Sequence, residues 1–470
     1  MKNWNYIDLF CGAGGLGEGF SKAGFSPLYC IDNDRWSLET CKLRKIYWFL
    51  SERNRLDLYY DFIKNSSAKF AVVSLTDSNP DLRNYTDAIM SGHDLSIDTI
   101  SHTIREIEDS INYNKVSEVD VIVGGPPCQA YSFAGRSRLR SPVNAKNNRL
   151  IRQHLEDSRH HLYEAYLYLV NKISPRVFVY ENVPGLLTAK SVRGRVIRIM
   201  MRDFLEMSPR YRIIPLIKKI KQQENLFPNN SKDIKTYVVN ASDYGVPQNR
   251  KRIIFIGVRE DILSKDEEIL NEFWDSIDSH RNGLCPNVYE AISDLPTLIH
   301  GTGNDFYSEM HYKTGRPYKY TESLRDRKLN GVLNHFARKH WSKDLERYRW
   351  CAEYVQEENR NPTLNDLPDH LKPYHRNQQS FIDRFKVQMA DTAASTITAH
   401  ISKDGHYYIH YDATQNRSLT VREAARLQSF DDNYAFCGPR THQFRQVGNA
   451  VPPLLSRIIA QGIKKILAAF

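Results

Sequence analysis

The chain has 470 residues, beyond the usual size of one domain, so two domains are expected. Hydrophobic residues make up 41%, no apolar run approaches the roughly 18 residues of a membrane span, and Met1-Lys2-Asn3-Trp4 leads into a strand rather than a signal sequence; a soluble, cytoplasmic protein is expected. The seven cysteines form no CxxC pair and are odd in number, which argues against a disulfide framework and a zinc site, while 65 basic against 55 acidic residues suit a polyanionic partner.

Tyr6 to Phe10 reads as the first strand, followed by Cys11-Gly12-Ala13-Gly14-Gly15-Leu16-Gly17 and a helical stretch to about Ala23. Glycines after a strand let a backbone approach a ligand closely. A second strand, Pro27 to Ile31, ends in Asp32, twenty residues after Gly12, where a carboxylate accepts hydrogen bonds from ribose hydroxyls. A nucleoside-containing cofactor is implied, and NAD and S-adenosyl-L-methionine both fit.

Val119 to Val123 reads as a buried strand that ends abruptly in Gly124-Gly125-Pro126-Pro127-Cys128-Gln129-Ala130-Tyr131-Ser132. Cys128 is thereby placed at the carboxyl edge of a sheet, the edge where open α/β sheets bind ligands, and is a candidate nucleophile; a buried structural cysteine is the alternative. From Arg136 to Arg159 there are seven Lys or Arg against two acids, a composition suited to phosphate contact.

A third such strand, Arg176 to Tyr180, leads into Glu181-Asn182-Val183-Pro184-Gly185, which sets a carboxylate beside apolar strand ends, a setting for proton donation. A fourth, Arg252 to Val258, follows Gln248-Asn249-Arg250-Lys251, and strand alternation predicts Arg250 and Arg252 on one face. Between Lys313 and Arg349 lie eleven basic residues against four acids, interleaved with Tyr312, Tyr318, Tyr320, Trp341, Tyr348 and Trp350. Leu419 to Phe430 has a helical apolar period; Gln446 to Pro453 reads as a turn-rich lead into a final helix from Leu454 to about Ala468, and Asn449 among apolar neighbours suggests ligand contact.

Six blocks in this order, DLFCGAGGLGEGF at 8–20, GGPPCQAYSFAGR at 124–136, ENVPG at 181–185, QNRKR at 248–252, LTVREAARLQSF at 419–430 and QVGNAV at 446–451, resemble the DNA (cytosine-5) methyltransferases of bacterial restriction-modification systems. The resemblance implies an α/β fold: a Rossmann-like S-adenosylmethionine-dependent domain with a mostly parallel sheet, plus a smaller target-recognition domain. It implies a catalytic and cofactor-binding domain over 1–258 with an insertion at about 45–90, a recognition domain over 259–435 and a returning segment over 436–470. Trp48, Tyr59, Tyr60 and Phe62 would make that insertion a helical add-on.

By the same resemblance Cys128 is the thiolate that adds to cytosine, Glu181 binds the ring, Asn182 holds the loop, Arg252 contacts the base carbonyl and Arg250 lies near the nucleophile. Phe10, Cys11, Gly12, Ala13, Gly14, Gly15, Asp32, Asn449, Ala450 and Val451 are implied to contact the cofactor, with Asp94, or alternatively Asp77, as a second acid. Asn33 stands where the family often has an aromatic that stacks on adenine. Arg136 and Arg159 are implied to contact DNA, Arg159 within a basic loop over 137–161 that closes on a flipped base. The implied partners are double-stranded DNA and a cognate restriction endonuclease. RNA-directed cytosine-5 enzymes share the Cys and ENV blocks, and a catalytically silent DNA-binding homologue is a further alternative.

Overall fold

The computed structural model describes residues 4–67, 71–127, 162–191, 194–218, 235–263, 268–281, 283–373 and 382–468. Cys128, Arg136, Arg159 and the segment 137–161 lie outside the described residues.

Five strands run parallel: β1 (Trp4–Leu9), β2 (Phe25–Ile31), β3 (Met90–Ser91), β4 (Val121–Gly124) and β5 (Val177–Asn182), in the spatial order β3-β2-β1-β4-β5. The sheet continues with β6 (Tyr211–Ile214), β7 (Val238–Asn240) and β8 (Lys251–Arg259), β8 lying antiparallel to β5, β6 and β7. The chain winds outward from β1 to β3 and then returns to place β4 on the other side of β1. That reversal opens a crevice beyond the carboxyl ends of β1 and β4, the position at which doubly wound sheets bind ligands. It is an α/β fold with a mostly parallel sheet.

Helix α1 (Gly15–Lys22) follows β1, and four helices, α2 (Arg35–Glu52), α3 (Leu56–Asn65), α4 (Ala71–Asp77) and α5 (Pro80–Ile89), connect β2 to β3. Then come α6 (Ile100–Tyr113) before β4, α7 over 162–173 before β5, α8 (Val196–Leu205) after it, and α9 (Ile269–Asp278) beyond β8. Three helices end the described chain: α10 (Val421–Leu427), α11 (Arg440–Asn449) and α12 (Pro453–Ala468).

Strands such as Val121-Ile122-Val123 are apolar on both faces because both faces are covered. Val121 and Val123 join Phe20, Phe273, Ile459 and Ile463 in one core, and Ile122 joins Ile107, Leu169, Ile197 and Phe204 in the other. Helix α9 lies past residue 258 yet packs with α12 on the main sheet, so the boundary expected at 258/259 does not coincide with the packing.

The helices α2 to α5 share a third core with a separate hairpin, β9 (Gly303–Ser308) and β10 (Val332–Phe336). Leu43, Ile46, Tyr59, Tyr60 and Ile63 meet Phe306, Leu329 and Leu333 there. Polar groups seal the junction. Tyr60 Oη donates to Asp326, Asn433 Nδ2 donates to Asp326 Oδ2 at 2.6 Å, and Tyr59 Oη donates to the Asn433 carbonyl at 2.8 Å. Trp48 Nε1 donates to Glu18 Oε2 at 2.9 Å, and Arg44 clasps the same carboxylate through Nε and Nη2 at 2.9 and 2.7 Å.

Helix α10 buries its apolar residues as its period predicts, and its charged residues as well. Arg422, Glu423 and Arg426 are all buried. Thr420 and Glu423 form a reciprocal cap at the helix start, Arg417 grips Glu423 at 2.8 and 2.7 Å, and Arg426 grips Asp432 at 2.8 and 2.7 Å. Arg422 donates to the carbonyls of Leu333, Asp431 and Tyr434. Burial pushes the Glu423 carboxyl up, but Arg417 beside it wins and holds it well below the usual carboxylate range.

The turn expected over 446–453 begins later. Helix α11 runs through Asn449 before Pro452 and Pro453 redirect the chain. Glycine and asparagine are poor helix formers, and tertiary bonds compensate: Gln446 Nε2 donates to Cys437 O at 3.0 Å, and Gln446 Oε1 accepts from Thr40 at 2.8 Å.

Candidate active site

Phe10 leaves β1 with φ 59°, and Gly12 (φ 53°) and Gly14 (φ 85°) also occupy the left-handed region, so the chain turns back over the sheet edge before α1 starts. Cys11 is buried and its N–H donates to Ile31 O at 3.0 Å. A β-carbon added at Gly12 would meet nothing within 4 Å, so this position faces open space. At Gly15 the reverse holds: an added β-carbon would lie 2.6 Å from Val451 O and 3.0 Å from Ala450 Cβ. The first and last blocks of the sequence are thereby in direct contact. Tyr434 Oη, absent from the sequence-based expectation, donates to Ala13 O and ties α10's downstream loop to the glycine turn. Asn449 is exposed at the end of α11, directly before Ala450.

Asp32 follows β2 and reads the glycine turn: its Oδ2 accepts from Gly12 N at 2.8 Å and its Oδ1 from Asp34 N at 2.9 Å. Burial pushes its carboxyl pKa up, against the pull of those two N–H donors. Strand β3 pairs with β2 in the register Ile31 to Ser91, which brings the loops after the two strands alongside each other. Asn33 Nδ2 donates to Asp94 Oδ1. The asparagine that replaces an aromatic therefore holds the second acid. Asp77, the alternative, ends α4 and is paired with Arg83.

Along the same edge, β4 brings Gly124 against Leu9 on one side and Tyr180 on the other. A β-carbon at Gly125 would lie 2.7 Å from Glu181 Oε2, so a larger residue here would displace that carboxylate. Asn182 is buried; its Nδ2 donates to Pro126 O at 3.3 Å and to Tyr180 Oη at 3.2 Å, and its Oδ1 accepts from Val183 N at 2.9 Å. The root of the Cys128 loop is thus fixed to the end of β5. Glu181 Oε1 is bridged by Arg252 Nε at 2.8 Å, both side chains being only partly exposed. The arrangement presents a carboxylate, a guanidinium and the loop leading to Cys128 on one edge, beside the glycine turn.

Arg250 and Arg252 part company, contrary to the expected shared face. Arg250 N bonds to Gln248 O at 2.9 Å, a turn that interrupts the strand and with it the two-residue alternation. Fully buried, Arg250 donates to Ile397 O at 2.6 Å and Gly448 O at 3.1 Å. Gln248, equally buried, accepts from Ile397 N at 2.8 Å and donates to Leu427 O at 3.0 Å. These two residues hold segment 394–402 and the ends of α10 and α11 against the sheet. The short pairing of Gln248–Asn249 with Ala394–Ser395 belongs to the same junction.

Residues 92–465 match the family of C-5 cytosine-specific DNA methylases. The Type II methyltransferase M.Bpa9945I of Bacillus paralicheniformis is 37% identical over 98% of this chain and 98% of its own. The Type II methyltransferase M.DdeI of Desulfomicrobium norvegicum is 28% identical over 98% of this chain and 88% of its own. In fold, a solved E. coli protein described as a DNA modification methyltransferase encoded within a prophage aligns with TM-score 0.57 at 22% identity, covering 99% of this chain and 100% of that one. With one family match running from Gly92 to Lys465 and one relative alike nearly end to end, the chain belongs to the C-5 cytosine-specific DNA methylases.

Proposed function

We propose that this cytosine-5 DNA methyltransferase uses Cys128 as its nucleophile and Glu181 with Arg252 as the groups that activate the ring, on a cytosine swung out of a specific duplex sequence. The observation that carries this reading is the Glu181–Arg252 pair at 2.8 Å beside Gly125, at the root of the Cys128 loop. Carbon 5 of cytosine is a poor nucleophile. Addition of the Cys128 thiolate to carbon 6 moves electron density to carbon 5, and Glu181, hydrogen-bonded to ring nitrogen and exocyclic amine, offsets the charge that develops. Arg252 orients Glu181 and reaches the base carbonyl. Once carbon 5 has taken a methyl group from S-adenosylmethionine, with S-adenosylhomocysteine as the leaving group, loss of the carbon-5 proton to a base expels the Cys128 thiolate and leaves 5-methylcytosine. Asn182 keeps the loop in place through Pro126, and Arg250 acts at a distance by holding segment 394–402.

S-adenosyl-L-methionine, when bound, supplies the electrophilic methyl group. The residues present fit it: Gly12 faces open space, and Asp32 is anchored but has a carboxylate suited to ribose hydroxyls. Phe10, Cys11, Ala13, Gly14, Gly15, Asp94, Asn449, Ala450 and Val451 complete the proposed crevice. Arg136 and Arg159 are proposed DNA contacts, and the 259–435 region is the proposed seat of target recognition, less α9, which packs with the main sheet. No helix among the described residues is long and apolar enough to cross a membrane. A restriction-modification role in a prokaryotic cytoplasm, opposite a cognate endonuclease, follows by analogy with the Type II relatives.

Duplex DNA carrying 5-fluorocytosine tests the mechanism, because fluorine at carbon 5 cannot leave as a proton does and elimination stalls. A covalent protein–DNA complex that forms with S-adenosylmethionine and is lost in Cys128→Ala is the expected result. An equal yield of complex from that variant would refute Cys128 as the nucleophile.

A further inference from the structure

Beside the proposed cofactor crevice, His93, His102 and Glu106 bring three ligand atoms within 4.8 Å of one another. His102 and Glu106 are four residues apart on α6, which puts them on one helix face. His93 comes from the loop after β3, directly before Asp94. The distances from Glu106 are 3.7 Å to His93 Nδ1 and 3.5 Å to His102 Nε2. Ligand atoms around a tetrahedral zinc ion with bonds of 2.0–2.1 Å stand about 3.4 Å apart, so this spacing needs little adjustment.

The surroundings orient the ligands as outer groups do at metal sites. Tyr29 Oη donates to Glu106 Oε2 at 2.7 Å and Ser91 Oγ to Oε1 at 3.1 Å. His93 Nε2 is hydrogen-bonded to Thr103 Oγ1 at 3.0 Å, which fixes the ring with Nδ1 facing Glu106; Nδ1 lies 2.9 Å from Ser91 Oγ, a hydrogen bond and proton that zinc would displace on binding. The two imidazole rings lie 5.0 Å apart at their centroids. Two imidazoles and one carboxylate suit a borderline divalent ion, zinc foremost, with the fourth position open to water. The cysteine pattern carried no hint of it, since no thiol takes part.

We propose that His93, His102 and Glu106 bind one zinc ion and that the ion pins the loop bearing Asp94 to α6. Metal binding stands on this geometry alone. Its effect on the cofactor rests on the placement of S-adenosylmethionine proposed above.

Chelator-stripped full-length protein titrated with zinc chloride in a calorimeter tests the site. One equivalent is expected, with affinity lowered at least about tenfold in His102→Ala and in Glu106→Gln. His102 is 57% exposed, so its replacement leaves the fold intact. Cobalt chloride as a second probe is expected to give a visible spectrum without a thiolate charge-transfer band. Absence of zinc binding, equal binding by both variants, or a thiolate band would overturn the site. S-adenosylhomocysteine binding measured with and without zinc tests the coupling: a several-fold shift in wild type that vanishes in His102→Ala is expected. Zinc binding with no shift leaves the site standing and overturns the coupling.

Discussion

At the carboxyl edge of the sheet, the charged groups of the proposed active site lie within a few residues of a strand end: Asp32 after β2, Asp94 after β3, Glu181 at the end of β5 and Arg252 at the start of β8. Around the β9–β10 hairpin, by contrast, the fixing groups come from far apart in the chain, with Asp294, Asp326, Leu333 and Tyr60 meeting Arg426, Asn433, Arg422 and their neighbours. The edge is organised by strand register. The hairpin region is organised by buried guanidinium groups and by the helices α2 to α5, which share its core. Chemistry at the first should therefore fail without loss of fold, and fold at the second should fail without any direct part in the chemistry.

The largest effect is expected at the edge. Glu181→Gln should lower kcat on duplex DNA by 10²-fold or more, in the range of lost acid–base groups, with thermal stability close to wild type. A matching fall in melting temperature would make Glu181 a structural residue instead. In the hairpin region Arg426→Met leaves buried Asp432 without its cation, while Asp294 keeps Arg325, so unfolding free energy should drop by about 3–5 kcal/mol in urea titrations. A stability change below about 1 kcal/mol would show that this region does not depend on its buried pairs.

His335 offers a pH-dependent version of the same contrast. Fully buried between Thr420 Oγ1 (3.0 Å) and Pro296 O (2.9 Å), it is pushed down by burial to about 4 from 6.5. The neutral ring is the folded form, so below pH 6.5 the unfolded chain gains the proton first. Stability is full above that pH and declines as pH falls toward about 4, by on the order of 3 kcal/mol in all. His335→Gln should flatten this part of the stability profile; an unchanged slope would assign the loss elsewhere. The smallest effect is expected from Asn33→Ala, which frees Asp94: KM for S-adenosylmethionine should rise two- to tenfold, on the order of one hydrogen bond, with kcat nearly unchanged. An unaltered KM would remove Asp94 from the crevice.

The same contrast governs what the sequence discloses. Val119 to Val123 and Arg252 to Val258 are apolar runs ended by glycine, proline or charge, and both become strands of the central sheet within two residues of the expected limits. Asp32 and Glu181 stand at the edge, as the apolar runs before them imply, because each directly follows or ends a strand whose register is local. Arg250 escapes the pattern, since a two-residue alternation assumes a strand that the turn at Gln248 breaks. Helix α11 escapes because Gln446 is held by Thr40, far off in the chain, and by the carbonyl of Cys437 just before the helix, contacts that its own composition does not disclose. The buried charges of α10 escape for the same reason: an apolar period says which residues face a core, not that arginines will be neutralised inside it. Nor does any periodicity disclose that Gly125 lies against the Glu181 carboxylate.

The central proposal is that the protein methylates carbon 5 of cytosine in one duplex context through a covalent Cys128 adduct at carbon 6. Base-resolution methylation sequencing of unmethylated DNA, treated with the protein and S-adenosylmethionine beside a Cys128→Ala control, tests it most directly. The account predicts 5-methylcytosine in a single recurring short sequence, absent from the control. Methylation that persists in the control, or DNA left unmodified by the wild-type protein, would contradict it.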